Sequence, residues 1–242
     1  MKLEVLAIGA HPDDIELSCS GTIAKLVKQG RAVGILDLTR GELGTRGNAT
    51  LRAREATQAA KILGVRVREN LGLKDGNIEL NRRNTLKLVT AIRKYRPAIL
   101  FIPYSSERHP DHEHAYQLAK EAWYYSGVGK IRTTDRGKLQ RRFRPDYYFE
   151  YMMLHSFTPS FIVDISDVYM TRVAAIKAFS SQFFNPKSKD PETFLSTERF
   201  MDFLETRAWY FGHLIGTEYG EPFFSIKPIG VADLFGLQFS KG

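Results

Sequence analysis

Apolar side chains dominate residues 3–9, Leu-Glu-Val-Leu-Ala-Ile-Gly, a run that reads as a buried strand ending at Gly9. Over 15–29 the spacing becomes helical, with Ile15, Leu17, Ile23, Ala24, Leu26 and Val27 as the apolar positions and Gly30 as the stop. Val33 to Leu38 is a second strand, and 40–50 is a Gly-rich loop. A helix from about Leu51 carries Ala56, Ala59, Ala60 and Leu63 and ends at Gly64. Strand-like Val65 to Leu71 follows, then a helix over 81–95 that stops before Pro97. Ala98 to Ile102 is a fourth strand, closed by Pro103. Further on, Tyr147 to Met153 and Phe161 to Ile165 read as strands, and 167–182 and 197–213 as helices.

Strand and helix alternating at this spacing predict an α/β fold, a mostly parallel sheet with helices on both faces. Ligands of such sheets sit beyond the carboxyl ends of the strands, near a switch in strand order. Attention therefore falls on the segments after strands one, two and four. No internal repeat or linker divides the chain, so residues 1–242 are expected to form a single domain.

Composition changes this picture little. A chain of 242 residues suits one α/β domain. No stretch approaches the roughly 20 apolar residues of a membrane span, and the first residues lack the basic start and apolar run of a secretory signal. Cys19 is the single cysteine, which excludes an internal disulfide and fits a reducing cytoplasm. The net charge of +8 is concentrated in 130–144, where Lys130, Arg132, Arg136, Lys138, Arg141, Arg142 and Arg144 face one acid, Asp135. That stretch reads as a solvated loop, and neither a nucleic-acid nor a membrane partner is expected. Gly41, Gly44 and Gly47 suit turns; no P-loop or dinucleotide fingerprint is present.

Two clusters carry the chemistry. His11-Pro12-Asp13-Asp14 follows strand one, and His109-Pro110-Asp111-His112-Glu113-His114 follows strand four, each at the head of a helix. They hold four of the chain's six histidines. Alone, either is an ordinary helix start with acidic caps. Together, at the sheet edge where ligands bind, they point to a metal. Catalytic zinc takes three ligands from His, Asp or Glu and leaves one position open for water, which it acidifies. His11 and Asp14 can reach one ion, with a third ligand from the second cluster. Asp13 would stand beside the metal as proton acceptor, and a second histidine would serve the oxyanion or the leaving amine.

The chain resembles the N-acetylglucosaminyl deacetylases of the PIG-L, or LmbE-like, family. The likeness rests on Gly-Ala-His-Pro-Asp-Asp-Ile-Glu (9–16), Thr-Arg-Gly-Glu-Leu-Gly-Thr-Arg-Gly (39–47) and His-Pro-Asp-His (109–112). Residues 19–25, 60–65, 164–167 and 175–178 extend it towards the bacillithiol-biosynthesis deacetylases of the first type, and only about 127–145 match nothing. The resemblance implies a Rossmann-like fold and one zinc per chain, or another divalent ion, held by His11, Asp14 and His112. It implies Asp13 as general base, His109 as stabiliser of the oxyanion or proton donor to the amine, and Asp111 as the group that orients His109. His114 competes with His112 on spacing, and the motif selects His112. The implied substrate is N-acetylglucosaminyl malate, a small anionic sugar, with Arg52 as substrate contact, holding the carboxylate through a two-pronged guanidinium bond. A homo-oligomer, commonly a hexamer, is also implied.

Other functions compete. A deacetylase of another N-acetyl sugar, or an amidase of a thiol conjugate, would use the same site. A module with a structural metal would need a closed set of four Cys or His ligands, which is absent. A basic nucleic-acid binder would rely on 130–144, where Phe143 is the one interleaved aromatic. Any DNA or RNA binding by 130–144 is expected to be weak and to collapse with added salt. A salt-insensitive, sequence-selective complex in a gel-shift titration would contradict this.

Overall fold

Strands covered by helices on both faces must be apolar throughout, and β1 (Val5–Gly9) and β2 (Val33–Thr39) are buried along their whole length. The computed structural model describes residues 1–185 and 188–237. After β1 come α1 (Asp14–Lys28), β2, α2 (Ala49–Leu63), β3 (Val67–Leu73), α3 (Arg82–Tyr95), β4 (Ile99–Pro103) and α4 (Pro110–Ser126). A short hairpin, β5 (Thr134–Asp135) and β6 (Lys138–Leu139), precedes β7 (Tyr147–Tyr151) and β8 (Phe161–Asp164). The chain continues through α5 (Tyr169–Lys177), α6 (Glu198–Leu214) and β9 (Gly220–Phe224). No helix among the described residues is long and apolar enough to cross a membrane.

The main sheet has the order β3-β2-β1-β4-β7-β9-β8. Its first five strands are parallel, Val5 facing Val33 on one side and Ile99 on the other. β9 runs antiparallel to both β7 and β8. Alternation along the strands divides the core. Leu6, Ile8, Leu36 and Leu100 pack with Leu88 and Ile92 of α3 and Leu118 of α4. Val5, Ala7, Val33 and Ile35 pack with Ile15 and Ile23 of α1 and Ala175 of α5 on the opposite face. A third cluster joins Leu17, Ala56, Ile176, Phe179, Phe200 and Leu204 beside the carboxyl edge of the sheet.

The expected helix at 15–29 forms, but it is broken at Cys19, whose φ of −143° and ψ of 19° are not helical. Groups distant in the chain replace the lost helical bonds. The Leu17 carbonyl accepts from Arg172 Nη2 at 3.3 Å and Arg207 Nη2 at 2.8 Å. The amides of Gly21 and Thr22 donate to the two oxygens of Glu221 at 2.9 and 2.6 Å, and Arg172 Nε lies 3.2 Å from the same carboxylate. Only glycine permits this approach: a Cβ at Gly21 would lie 2.7 Å from Ile165 Cδ1 and 2.9 Å from Glu221 Oε1.

Other boundaries moved for identifiable reasons. Asn48 caps α2 by accepting from the Leu51 amide at 2.9 Å, so the helix starts at Ala49. Val65 donates to Ala60 in the cap around Gly64, so β3 begins at Val67. The helix expected over 167–182 stops at Lys177, and the chain turns back so that the Ser181 amide meets Glu55 Oε1 at 2.7 Å. β9 had no counterpart in the sequence pattern, and the β5–β6 hairpin lies inside the basic stretch.

Because Glu221 answers two amides and a guanidinium in a buried setting, Glu221→Ala should cost about 3–5 kcal/mol of stability. Urea unfolding followed by circular dichroism measures it; a loss below about 1 kcal/mol would mean that the break in α1 is held otherwise.

Candidate active site

Strand order reverses between β1 and β4, so the segments leaving these neighbours open a crevice at the sheet edge. Residues 10–14 form a tight turn into α1. The His11 amide donates to Asp14 Oδ2 at 2.8 Å, and the Asp14 amide returns to the His11 carbonyl at 3.3 Å. Asp13 takes a φ of 115°, a conformation that costs a side-chain-bearing residue free energy. Arg52 at the start of α2 meets it: Nη2 lies 2.8 Å from Asp13 Oδ2 and also donates to the Pro12 carbonyl, while Nη1 donates to the Gly41 carbonyl at 3.3 Å. Gly41, with a φ of 64°, leaves room for this, since a Cβ there would lie 2.1 Å from Arg52 Nη1.

The two expected clusters meet. His11 Nδ1 lies 3.6 Å from Asp14 Oδ2, and His112 Nε2 lies 3.4 Å from Asp14 Oδ1. On its other side, His11 Nε2 faces Asp75 Oδ1 at 3.0 Å and Asp111 Oδ2 at 3.3 Å. Burial works against a charged imidazole at His11, yet Asp14, Asp111 and Asp75 carry its pKa well above the histidine range. Burial would also raise Asp14, but His112 and His11 hold it well below the carboxylate range. Asp75 is held at about 2 against its burial by His11 and the Leu43 amide. Asp13 behaves oppositely: burial pushes it up to about 7 despite Arg52, with Asp14 adding repulsion.

Asp111 does not meet His109 through its carboxylate. That group accepts from the Gly76 and Ile78 amides at 2.7 and 3.1 Å and faces His11. The link to His109 is the Asp111 backbone amide, which donates to His109 Nδ1 at 3.1 Å. An accepting Nδ1 places the proton of neutral His109 on Nε2. Partial desolvation of its ring and the nearby His11 and His112 lower the His109 pKa and so favour that neutral form. His114 lies on α4 outside this cluster.

Two groups could hold a cation: His11, Asp14 and His112, and His11, His109 and Asp111, in each of which the ligand atoms lie within 4.8 Å of one another. The first fits better. All three of its residues are buried, whereas His109 is exposed and the Asp111 carboxylate already accepts two amides. His112 Nδ1 is buried without a hydrogen bond, an imidazole short of a partner. The buried carboxylates Asp13, Asp14, Asp75 and Asp111 converge here, and Arg52 is the arginine paired among them. Such an excess suits a divalent ion.

A cavity of about 420 Å³ opens beside these groups. Arg52 lines it, with one Nη1 hydrogen and the buried Nε hydrogen uncommitted after its bonds to Asp13, Pro12 and Gly41. The wall holds residues that the motifs did not single out for a role: Asp75 after β3, Arg46 in the loop after β2, and Phe194, Phe200, Leu204 and Arg207 from the C-terminal half. The sheet-edge rule, extended to β3, would have found Asp75. Nothing in the pattern marked the C-terminal wall.

A family model described as PIG-L, GlcNAc-PI de-N-acetylase, matches residues 6–123, the span from β1 to α4 that contains every expected site residue. The diacetylchitobiose deacetylase of Thermococcus kodakarensis is 33% identical over 228 residues, covering 90% of this chain and 81% of that protein. The chain belongs to the PIG-L family. It is therefore a deacetylase of N-acetylated sugars. The crystal structure of the conserved protein TT1542 from Thermus thermophilus shares its fold with a TM-score of 0.85 at 36% identity, covering 95% of this chain and 97% of that one. A probable N-acetyl-alpha-D-glucosaminyl L-malate deacetylase 2 of Bacillus anthracis is 27% identical over 131 residues, 49% of this chain and 58% of that protein. These matches establish the PIG-L family and do not single out its first-type bacillithiol branch.

If His11, Asp14 and His112 hold the ion, Asp14→Ala and His112→Ala should each lose metal on dialysis, whereas His109→Ala and Asp111→Asn retain about one per chain. Elemental analysis of the folded variants decides; the reverse pattern would place the ion in the other group.

Proposed function

We propose that this PIG-L protein hydrolyses the acetamide of an N-acetylglucosamine unit, using one zinc or similar divalent ion per chain held by His11, Asp14 and His112. The observation that carries this is the buried meeting of those three residues beside two titratable groups outside their set, Asp13 and His109, at one cavity. When bound, the cation supplies Lewis acidity that acidifies water and polarises the amide carbonyl.

The protein groups divide the remaining work. Asp13, with its pKa near 7, accepts the proton of the attacking water. Arg52 fixes the Asp13 carboxylate through the ion pair and keeps one Nη1 hydrogen for the substrate. His109, neutral and protonated on Nε2, donates a hydrogen bond to the developing oxyanion, and Asp13 passes the proton it took from water to the departing amine. Asp111 sets the His109 tautomer through its amide and orients His11 through its carboxylate, as partners of metal-binding histidines do. Water's oxygen joins the acetyl carbon, the C–N bond breaks, and acetate and the free amine leave.

The substrate favoured by the motif resemblance is N-acetylglucosaminyl malate, which would give glucosaminyl malate and acetate. The partial match to the Bacillus anthracis protein supports it. Diacetylchitobiose is the second reading, supported by the longer match to the Thermococcus deacetylase. Trp209, Tyr210 and Leu214, exposed on α6, are consistent with a homo-oligomer.

The test is acetate release by metal-loaded protein from N-acetylglucosaminyl malate, diacetylchitobiose and N-acetylglucosamine. Asp13→Ala should lower kcat roughly 10²–10⁴-fold with metal content near wild type. Wild-type turnover in that variant would remove Asp13 as the base, and no acetate from any of the three would overturn the substrate class.

A further inference from the structure

The Thr39–Gly47 loop carries a second arginine to which the chemistry above gives no role. Arg46 is only 4% exposed and lines the cavity shared by Asp13, Asp75 and His109. Its side chain has no hydrogen bond, ion pair or aromatic partner among the described residues, and its Nε is buried and unpartnered. Arg52 and Arg172 also have a buried Nε without a hydrogen bond, but every other buried arginine has a partner for its guanidinium. Arg52 faces Asp13, Arg172 faces Glu221, and Arg93 donates to the carbonyls of Ser126, Val128 and Ile131. A guanidinium keeps its charge at any pH at which a protein is folded, so burying one unpaired is costly unless a ligand completes it. The nearby carboxylates are engaged elsewhere: Asp13 with Arg52, Asp75 with His11 and the Leu43 amide, Asp14 with the two histidines.

The backbone that presents Arg46 is held in place. Gln182 Nε2 donates to the Arg46 carbonyl at 2.8 Å, and its neighbour Ser181 is bound through amide and hydroxyl to Glu55, each at 2.7 Å. A charged, unpaired fork carried into a substrate cavity on an anchored backbone matches a carboxylate.

We propose that Arg46 is the anion-receiving end of the cavity and takes a carboxylate carried by the group to which the N-acetylglucosamine unit is attached. This rests on the deacetylase reading and narrows it to anionic glycosides. The same chemistry has a second source, the acetate released by the reaction, so the test separates them.

Metal-loaded wild type, Arg46→Gln and Arg46→Lys are compared by kcat/KM on N-acetylglucosaminyl malate, diacetylchitobiose and N-acetylglucosamine, by titration calorimetry with L-malate, and by acetate inhibition. Arg46→Gln should lower kcat/KM on the malate glycoside by about 10- to 100-fold, mainly through KM, and weaken L-malate binding at least about tenfold, as losing a charged hydrogen-bonded contact does. The two neutral substrates and the acetate inhibition constant should stay within about twofold. Arg46→Lys, which keeps the charge without the fork, should fall between. Tm of Arg46→Gln should hold or rise, because an uncompensated buried charge is removed; a fall would mark Arg46 as structural. Equal losses on all three substrates would overturn the proposal, and weakened acetate inhibition with unchanged malate binding would assign Arg46 to the product. A wild type that releases no acetate from any substrate would end the deacetylase reading, while L-malate binding would still decide Arg46.

Discussion

The buried ion pair between Arg52 and Asp13 is the contact on which the rest of the site depends. Asp13 is held in a left-handed conformation that an aspartate leaves when nothing restrains it. Arg52 restrains it from both sides, binding its carboxylate and the preceding Pro12 carbonyl. The same guanidinium reaches Gly41, so the loops after β1 and β2 are tied at one point. With the turn fixed, His11 and Asp14 face the crevice and Asp13 stays out of their set. Two residues that could hold a cation and an adjacent carboxyl of raised pKa thus come from four consecutive residues.

Charge then explains why the crevice calls for a cation. Asp14, Asp75 and Asp111 all approach the His11 ring, which keeps Asp75 and Asp111 ionised and helps His112 do the same for Asp14. That arrangement suits positive charge at the position the histidines share. Asp13 lies at the edge of it and is the one carboxyl whose pKa rises to about 7, because burial and Asp14 outweigh Arg52. Two adjacent aspartates with pKa values driven apart suit distinct chemical uses, the division on which the proposed mechanism rests.

The break in α1 connects this edge to the C-terminal half. Arg207 of α6 bonds the Leu17 carbonyl at the break and that of Met153 after β7, and it also lines the cavity. Glu221 of β9 and Arg172 of α5 complete the other side of the break. The cavity wall and the support for the catalytic turn are therefore the same C-terminal elements, so changes there should be felt at the turn.

The sequence by itself determined the parallel half of the sheet, because strands buried on both faces leave continuous apolar runs and α/β connections are local. It also singled out the residues that converge in the crevice, since His-Pro-Asp follows two strands at the sheet edge where ligands bind. Tertiary structure alone decided what depends on residues far apart in the chain. It placed β9 against β7 and β8, answered the α1 break with Glu221, turned the Asp111 carboxylate to His11 rather than His109, and committed Arg52 to Asp13 and the Pro12 and Gly41 carbonyls. The physical reason is that a side chain's partner is chosen by proximity and by the cost of burying charge unpaired. Neither quantity exists until the chain is folded.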